Sequence, residues 1–202
     1  MAIQLQKGGY FDIVTDGNSS GRMVVGLGWD PVKNWRTALM EKFLGTVVSD
    51  IDCDASVLML DRDGKLQSNS DVIHFGNLQS RDGSITHTGD NLSGDGSGDD
   101  EQIVVEVNRI PDHIRKLVFV VNIYDSKNRK HHFGMIQNAY LRVTKENETE
   151  ELLRYHLTED YTGKTSLVVG EMSRQQLGWR FTAIGEGTDA VSLNDIAATY
   201  IK

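Results

Sequence analysis

Residues 89–101 hold the side chains best suited to chemistry, because closely spaced carboxylates alternate there with glycine. Five of the twelve residues from Asp90 to Glu101 are acidic and three are glycine, which lets the backbone turn sharply and bring carbonyl groups inward. Carboxylates this close repel one another unless a cation neutralises them. Ca²⁺ takes roughly six to eight oxygen ligands of these types, whereas Mg²⁺ prefers fewer protein ligands. The segment predicts a Ca²⁺-binding loop, with Mg²⁺ as the second choice and a solvated acidic loop as the alternative.

Two familiar loop types do not fit this segment. Asp90 and Glu101 occupy the first and twelfth places of an EF-hand loop, but Leu92 stands third, where an acid is needed, and Asp95 stands sixth, where glycine is needed. A strand pattern follows the segment instead of a helix. The glycine run 94–98 does not predict a nucleotide-binding loop either, because no helix opens after it and its carboxylates would repel a phosphate.

A second acidic cluster, Asp50-Ile51-Asp52-Cys53-Asp54, precedes a strand pattern. Strand alternation places the three aspartates on one side and Cys53 on the other, in the core. Two acidic segments at one end of a β-sandwich can share a site for a pair of ions. Neighbouring carboxylates raise the pKa of a thiol and suppress the reactive thiolate, so we do not expect a redox role for Cys53.

The remaining reactive side chains do not form a recognised catalytic motif. The sequence has no Gly-x-Ser-x-Gly and no cysteine-nucleophile signature. His87 adjoins the acidic glycine segment, so it is the histidine placed to contact a bound ion or to act as a general base. His131-His132 has no partner at metal-ligand spacing, and we interpret it with the basic stretch 127–130 as a solvated hairpin tip.

Strand patterns dominate the chain, and residues 117–124 form the most apolar of them. Near the end, Leu193, Ile196, Ala197 and Tyr200 follow helical spacing behind Ser192 as a predicted N-cap. Many strands with few helices predict a mainly β fold, an antiparallel β-sandwich with one or two short helices, as a single domain over residues 1–202. The predicted strands are 23–29, 56–60, 71–75, 102–107, 117–124, 140–143, 152–157, 166–170 and 179–184.

Composition narrows the function classes. The 202 residues carry a net charge of −8 and are 39% hydrophobic, which is enough for one sizeable core. An acidic chain does not have the basic surface of a nucleic-acid-binding protein. It has no apolar run of membrane-spanning length, and its first residues show no apolar signal core. A single cysteine suits a reducing compartment, so the sequence predicts a cytoplasmic protein.

Eight motifs in order along the chain carry a family resemblance. They are Gly26-Leu27-Gly28-Trp29-Asp30, Asp54-Ala55-Ser56, His87-Thr88-Gly89-Asp90-Asn91, residues 94–101, Asn122-Ile123-Tyr124-Asp125, Phe133-Gly134, residues 138–143 and residues 178–185. Together they resemble the TerD family of tellurite-resistance and stress proteins. The resemblance extends from Lys7-Gly8-Gly9 nearly to the C-terminus, and the acidic glycine segment is its most specific part.

This resemblance implies a β-sandwich that binds calcium, commonly as two neighbouring ions, through acidic loops at one end. No catalytic activity is established for the family as a class. The residues expected to bind the metal, by side chain or by backbone carbonyl, are Asp54, Asp90, Asn91, Gly94, Gly96, Asp99, Asp100 and Glu101. Asp30, Asp52 and Asp125 are further candidates, and Asp30 and Asp125 could instead cap loops.

The resulting prediction is a calcium-binding stress-response protein that is a non-catalytic interaction module ordered by its ions. The resemblance implies that it works with other stress-response proteins in a larger assembly near the inner face of the membrane. Two alternatives stay open. One is a metal-assisted hydrolase that uses the same acidic loops, with His87 as the general base. The other is a scaffold subunit that needs no ion.

Overall fold

Strands make up most of the protein. The computed structural model describes residues 2–14, 21–31, 51–89, 98–146, 148 and 150–201. The strands within these residues are β1 (Ile3–Leu5), β2 (Tyr10–Ile13), β3 (Arg22–Pro31), β4 (Cys53–Leu60), β5 (Val72–Ile73), β6 (Ile85–His87), β7 (Glu101–Glu106), β8 (Lys116–Ile123), β9 (Ile136–Lys145), β10 (Glu151–His156), β11 (Ser166–Gln175) and β12 (Gly178–Thr188). The α-helices there are α1 (Ser126–Arg129) and α2 (Leu193–Ala198).

The described strands form two six-stranded sheets. Sheet A has the order β1-β10-β9-β3-β7-β6, and sheet B has the order β2-β12-β11-β8-β4-β5. Neighbouring strands run antiparallel, with the exception of β1, which pairs in parallel with β10. The acidic strand starts of β7 in sheet A and β4 in sheet B therefore belong to opposite layers of the sandwich.

The core lies between the sheets and follows from strand alternation. Along β7, Ile103 and Val105 are fully buried, while the residues between them are partly exposed on the other face. Phe119 and Phe181 of sheet B are also fully buried, with ring centroids 6.4 Å apart. Each such side chain contributes about 1.5–3 kcal/mol relative to an exposed one. This packing fixes the strand ends that carry the acidic residues.

A smaller apolar cluster covers part of the outer face of sheet B. Helix α2 begins after Ser192, whose Oγ accepts a hydrogen bond from the Asp195 backbone N–H at 3.2 Å, as an N-cap does. The helix then buries Ile196 and Ala197 against the sheet. The buried sheet residues in this cluster are Leu58, Leu60, Val72, Val118 and Val120. None of the helices among the described residues has the length and apolarity to span a membrane.

These elements confirm the mainly β sandwich and its C-terminal helix, and every predicted strand is present. The predicted strand at 71–75 is shorter, because His74 and Asn77 bond to each other through their backbones and close a tight bridge after β5. The interpretation of residues 127–132 as a hairpin tip was wrong, since α1 occupies the start of that segment. Strands β1, β2 and β6 were missed because three or four residues are too few to show a periodicity.

Candidate metal centre

The first acidic segment enters β4 at the edge of sheet B. Asp52 and Asp54 are 8% and 5% exposed, so both carboxylates lie in buried surroundings. Asp54 stands opposite Asn122 of β8, and its Oδ2 accepts a hydrogen bond from Asn122 Nδ2 at 3.2 Å. The Asp52 backbone carbonyl accepts a hydrogen bond from the Tyr124 N–H at 2.8 Å. Pairing of β4 with β8 therefore holds both aspartates in place.

Glu101 reaches across from sheet A. It begins β7 with its side chain directed inward, and it is 2% exposed. Its Oε2 accepts a hydrogen bond from the Ala55 N–H at 2.5 Å, so it lies beside the residue that follows Asp54. A carboxylate of one sheet is thereby bonded to the backbone of the other.

His87 supports Glu101 from β6. His87 Nε2 lies 3.5 Å from Glu101 Oε2, and both side chains are fully buried. His87 Nδ1 accepts a hydrogen bond from the Gly89 N–H at 3.2 Å. An accepting Nδ1 carries no proton, which assigns the ring proton to Nε2, the nitrogen that faces Glu101. The expected proximity of His87 to the acidic cluster is therefore present in the structure.

Asp100 is bonded to the backbone of β3. Its Oδ2 accepts a hydrogen bond from the Trp29 N–H at 2.8 Å, and its own N–H donates to the Leu27 carbonyl at 2.8 Å. These two bonds fasten the exit of the acidic glycine segment to the central part of sheet A.

Asp99 lies on the outer face of sheet A, where Arg142 of β9 holds it in a bidentate ion pair. Arg142 Nε donates to Asp99 Oδ1 at 2.6 Å and Nη2 donates to Oδ2 at 2.9 Å. Tyr140 Oη donates to Oδ1 at 3.2 Å, and Gln102 Nε2 donates to Oδ2 at 3.0 Å. Tyr140 Oη also lies 2.7 Å from the Gly98 carbonyl oxygen. The Asp99 carboxylate is thus enclosed by donors from its own sheet.

Sequence reasoning missed this clamp, although Gly26-Leu27-Gly28 was a signal for it. A Cβ at Gly26 would overlap the Asp99 carboxylate, and a Cβ at Gly28 would overlap the Tyr140 ring. Glycine at both positions lets these side chains lie flat on β3. Two glycines spaced by one residue within a strand thus mark a face that other side chains cover.

Charge accumulates around Cys53, which is fully buried in the core as expected. Burial raises the pKa of its thiol well above the ordinary value, and the carboxylates of Asp54, Asp52, Glu101 and Asp100 raise it further, in that order. The expected suppression of the thiolate is confirmed. The same effect shows that four carboxylates from both acidic segments act on one buried atom. Two segments far apart in sequence therefore converge at one end of the sandwich.

The two further candidates that could cap loops both bind amide side chains. Asp30 Oδ2 accepts a hydrogen bond from Asn138 Nδ2 at 2.8 Å. Asp125 Oδ1 accepts one from Asn128 Nδ2 at 2.6 Å, and the Asp125 backbone has a φ of 48° as it leads into α1. Each carboxylate holds a neighbouring loop in the described structure.

The described residues supply part of the predicted ligand set. Asp52, Asp54, Asp100 and Glu101 converge, whereas Asp99 faces Arg142 on the outer surface of sheet A. Asp90, Asn91, Gly94 and Gly96 lie outside the described residues. In the described part of the chain, no group of three or more His, Cys, Asp or Glu is arranged to hold a metal ion. The donor chemistry suits a hard cation, and the ligand set as predicted also requires residues from 90–97.

Comparison with known proteins gives consistent matches along the whole chain. A family model described as the TerD domain matches residues 1–200. The chain is 49% identical over 201 residues to the stress response protein SCP2 of Bacillus subtilis (strain 168), covering 100% of both sequences. It is 37% identical over 200 residues to the tellurium resistance protein TerD of Serratia marcescens, covering 99% of this chain and 97% of that one.

A solved structure shows the same fold. The crystal structure of a homologue of the telluride resistance protein TerD from Streptomyces coelicolor A3(2) has a TM-score of 0.66 to this chain and 23% identity. The match covers 87% of this chain and 94% of that one. At this identity the likeness concerns the architecture of the sandwich.

Proposed function

The chain belongs to the TerD family, and we propose that it is a calcium-binding stress-response protein of the tellurium-resistance type, a non-catalytic module ordered by its ions. One observation carries the proposal. The carboxylates of Asp52, Asp54, Asp100 and Glu101 meet at one end of the sandwich, where each acts on the Cys53 thiol. They come from two sheets, so their approach is a property of the fold.

Convergence of these carboxylates favours a bound cation. Asp52, Asp54 and Glu101 are each less than a tenth exposed, and like charges that approach one another with little water between them raise the free energy of the folded state. A divalent cation offsets this repulsion. Carboxylate, amide and carbonyl oxygens are ligands for Ca²⁺, not for the metals that select thiolate or imidazole.

The rest of the proposed ligand set comes from the segment between Gly89 and Gly98. Gly89 is held by His87, and Gly98 is held by Tyr140, so both ends of that segment are fixed to the sheets. In this proposal Asp90, Asn91, Gly94 and Gly96 complete a site for two ions, with Mg²⁺ a weaker competitor. Asp99 anchors the exit of the segment through Arg142, and Asp100 and Glu101 stand nearer the ions.

The proposed role of the ions is to order one end of the sandwich as a binding surface. Ion binding to the folded state alone stabilises it by mass action. The ordered end would then contact other stress-response proteins in a larger cytoplasmic assembly at the inner face of the membrane. The names of the relatives, which are stress-response and tellurium-resistance proteins, support this setting.

Calorimetric titration of chelator-treated protein tests the proposal. We expect more than one Ca²⁺ to bind with a dissociation constant on the order of micromolar, and Mg²⁺ to bind more weakly. At 100 times the dissociation constant, Ca²⁺ adds about 2.7 kcal/mol of stability. For a chain of this length that corresponds to a rise in melting temperature of roughly 5–11 °C.

Matched variants locate the site. Asp52→Asn and Asp100→Asn each remove one converging carboxylate and should weaken Ca²⁺ binding at least tenfold. Asp63→Asn removes the same charge from an exposed turn and should leave binding unchanged. If neither heat nor a shift in melting temperature accompanies Ca²⁺ addition, the calcium proposal fails and an ion-independent scaffold becomes the better explanation.

A further inference from the structure

A cavity of about 370 Å³ opens on the outer face of sheet B, away from the core. It lies where the cover of α2 ends. Along the outward-facing row of β4, Leu58 packs under the helix, whereas Ser56 and Asp54 line the cavity. The outer face of the sheet thus changes from apolar to polar at this point. The volume lies within the range of about 300–1,000 Å³ that is usual for small-molecule sites.

The cavity floor carries buried polar atoms with unused capacity. Ser56 is 0% exposed and Asn122 is 8% exposed. Within the described part of the chain, Ser56 Oγ and Asn122 Oδ1 have no hydrogen-bond partner. Asn122 Nδ2 donates to Asp54 Oδ2, which fixes the orientation of the amide and leaves its oxygen as an acceptor. Buried polar atoms are nearly always bonded, so this floor is suited to accept hydrogen bonds from a bound molecule.

The rim of the cavity is apolar. Phe75, Tyr124 and Val191 all line it, and they are 46%, 47% and 48% exposed. Single exposed apolar side chains are ordinary, but three around one opening form a wall against which a hydrocarbon group can pack. A polar floor beneath an apolar wall is the usual composition of a site for a small organic molecule.

Charge decides which kind of molecule fits. Asp54 at the floor and Asp125 at the mouth are acidic, and none of the described residues lining the cavity is Lys or Arg. Asp125 already binds Asn128, and Arg129 Nε lies 3.9 Å from its carboxylate, so its charge is balanced locally. Asp54 therefore gives the floor its negative character, which excludes anions and favours a cation.

We propose that this cavity binds an organic primary ammonium. An ammonium head has three N–H donors, and the floor offers three acceptors in the Asp54 carboxylate, Asn122 Oδ1 and Ser56 Oγ. The short apolar chain of the ligand packs against Phe75, Tyr124 and Val191. This site lies beyond the proposed calcium function and shares Asp54 with it.

NMR titration of ¹⁵N-labelled protein with three ligands of one length tests the proposal. The ligands are n-butylammonium, n-butanol and n-butyrate, which differ in the charge of the head group. We expect n-butylammonium to shift the Asn122 side-chain amide signals and to bind at least tenfold more tightly than n-butanol. The anion n-butyrate should not bind. Equal affinity for the three ligands, or no shift with n-butylammonium, would overturn the proposal.

Variants locate the ligand. Val191→Trp fills the mouth of the cavity and should reduce n-butylammonium affinity at least tenfold, and Ser56→Ala removes one acceptor and should reduce it several-fold. Leu177→Trp adds the same bulk at a position 79% exposed in the β11–β12 hairpin, and it should have no effect. Val191→Trp changes a half-exposed residue, so folding is retained. Unchanged affinity in Val191→Trp would place any binding elsewhere and refute the assignment.

The two proposals fail separately. Asp100 contacts β3 and does not line the cavity. Asp100→Asn should therefore lose Ca²⁺ affinity while n-butylammonium affinity remains within twofold. Loss of n-butylammonium binding in this variant would show that the cavity depends on the acidic end, contrary to the inference.

Discussion

Replacement of Arg142 by methionine should destabilise the protein more than any comparable change to a surface ion pair. The Asp99 side chain is 1% exposed, whereas that of Arg142 is 24% exposed, so the change leaves a buried carboxylate without its cation. Removal of one partner from a buried pair costs about 3–5 kcal/mol. Tyr140 and Gln102 still donate to Asp99, and Arg142 is partly solvated. We therefore expect a loss of about 2–3 kcal/mol, near the lower limit.

Urea and thermal unfolding measure this loss. For a chain of this length, the expected loss corresponds to a fall in melting temperature of roughly 4–12 °C. Arg180→Met is the matched control, because Arg180 makes an equally well-formed bidentate pair with Asp12, at 2.7 and 2.9 Å. That pair is exposed to solvent, so its loss should change stability little.

A double variant separates charge from packing. Arg142→Met combined with Asp99→Asn removes the buried charge along with its partner, and it should recover at least half of the stability lost in Arg142→Met. If Arg142→Met and Arg180→Met destabilise equally, burial does not distinguish the two pairs and the reasoning is refuted. If the double variant is as unstable as Arg142→Met, the clamp acts through packing instead of charge.

Two further predictions concern titration and reactivity. Hydrogen bonds from Arg154 hold the pKa of Glu151 below its ordinary value of 4.5. The stability from this pair is present above pH 4.5 and lost as the pH falls through the lowered pKa, so Glu151→Gln should lower stability at pH 7 and weaken its acid dependence. Urea unfolding at pH 7 and below pH 4.5 checks this, and an unchanged acid slope would contradict it. The Cys53 thiol, fully buried with a strongly raised pKa, should react with an aromatic disulfide at pH 8 less than a hundredth as fast as in urea; rapid reaction in the native protein would exclude the described environment.

Local patterns predicted most of the fold. Alternation identified the strands, and Ser192 with Asp195 marked the start of α2, because these signals depend on residues a few places apart. Strand β1 was missed, since its three residues are ordered by parallel pairing with β10, about 150 residues away. A pairing over that distance leaves no periodic trace in so short a segment.

The candidate site was only partly predictable for the same reason. The convergence of both acidic segments and the core position of Cys53 followed from alternation and from the family motifs. The Arg142 clamp did not, because Arg142 belongs to a regular strand pattern and its partner Asp99 lies 43 residues earlier. Gly26 and Gly28 marked the covered face of β3, but glycine in a strand does not say which side chain covers it.

Three consecutive acids end the acidic segment, and the structure gives each a different surrounding. Asp99 turns outward to Arg142, Asp100 accepts from the backbone of β3, and Glu101 turns inward to the Ala55 N–H of the opposite sheet. Counting carboxylates in the sequence gives the same weight to all three. Because one of them is neutralised by its own cation, the charge that faces a bound ion is smaller than the count. Affinity for Ca²⁺ should therefore depend more on Asp100 and Glu101 than on Asp99, whose replacement should act chiefly through the position of the segment's exit.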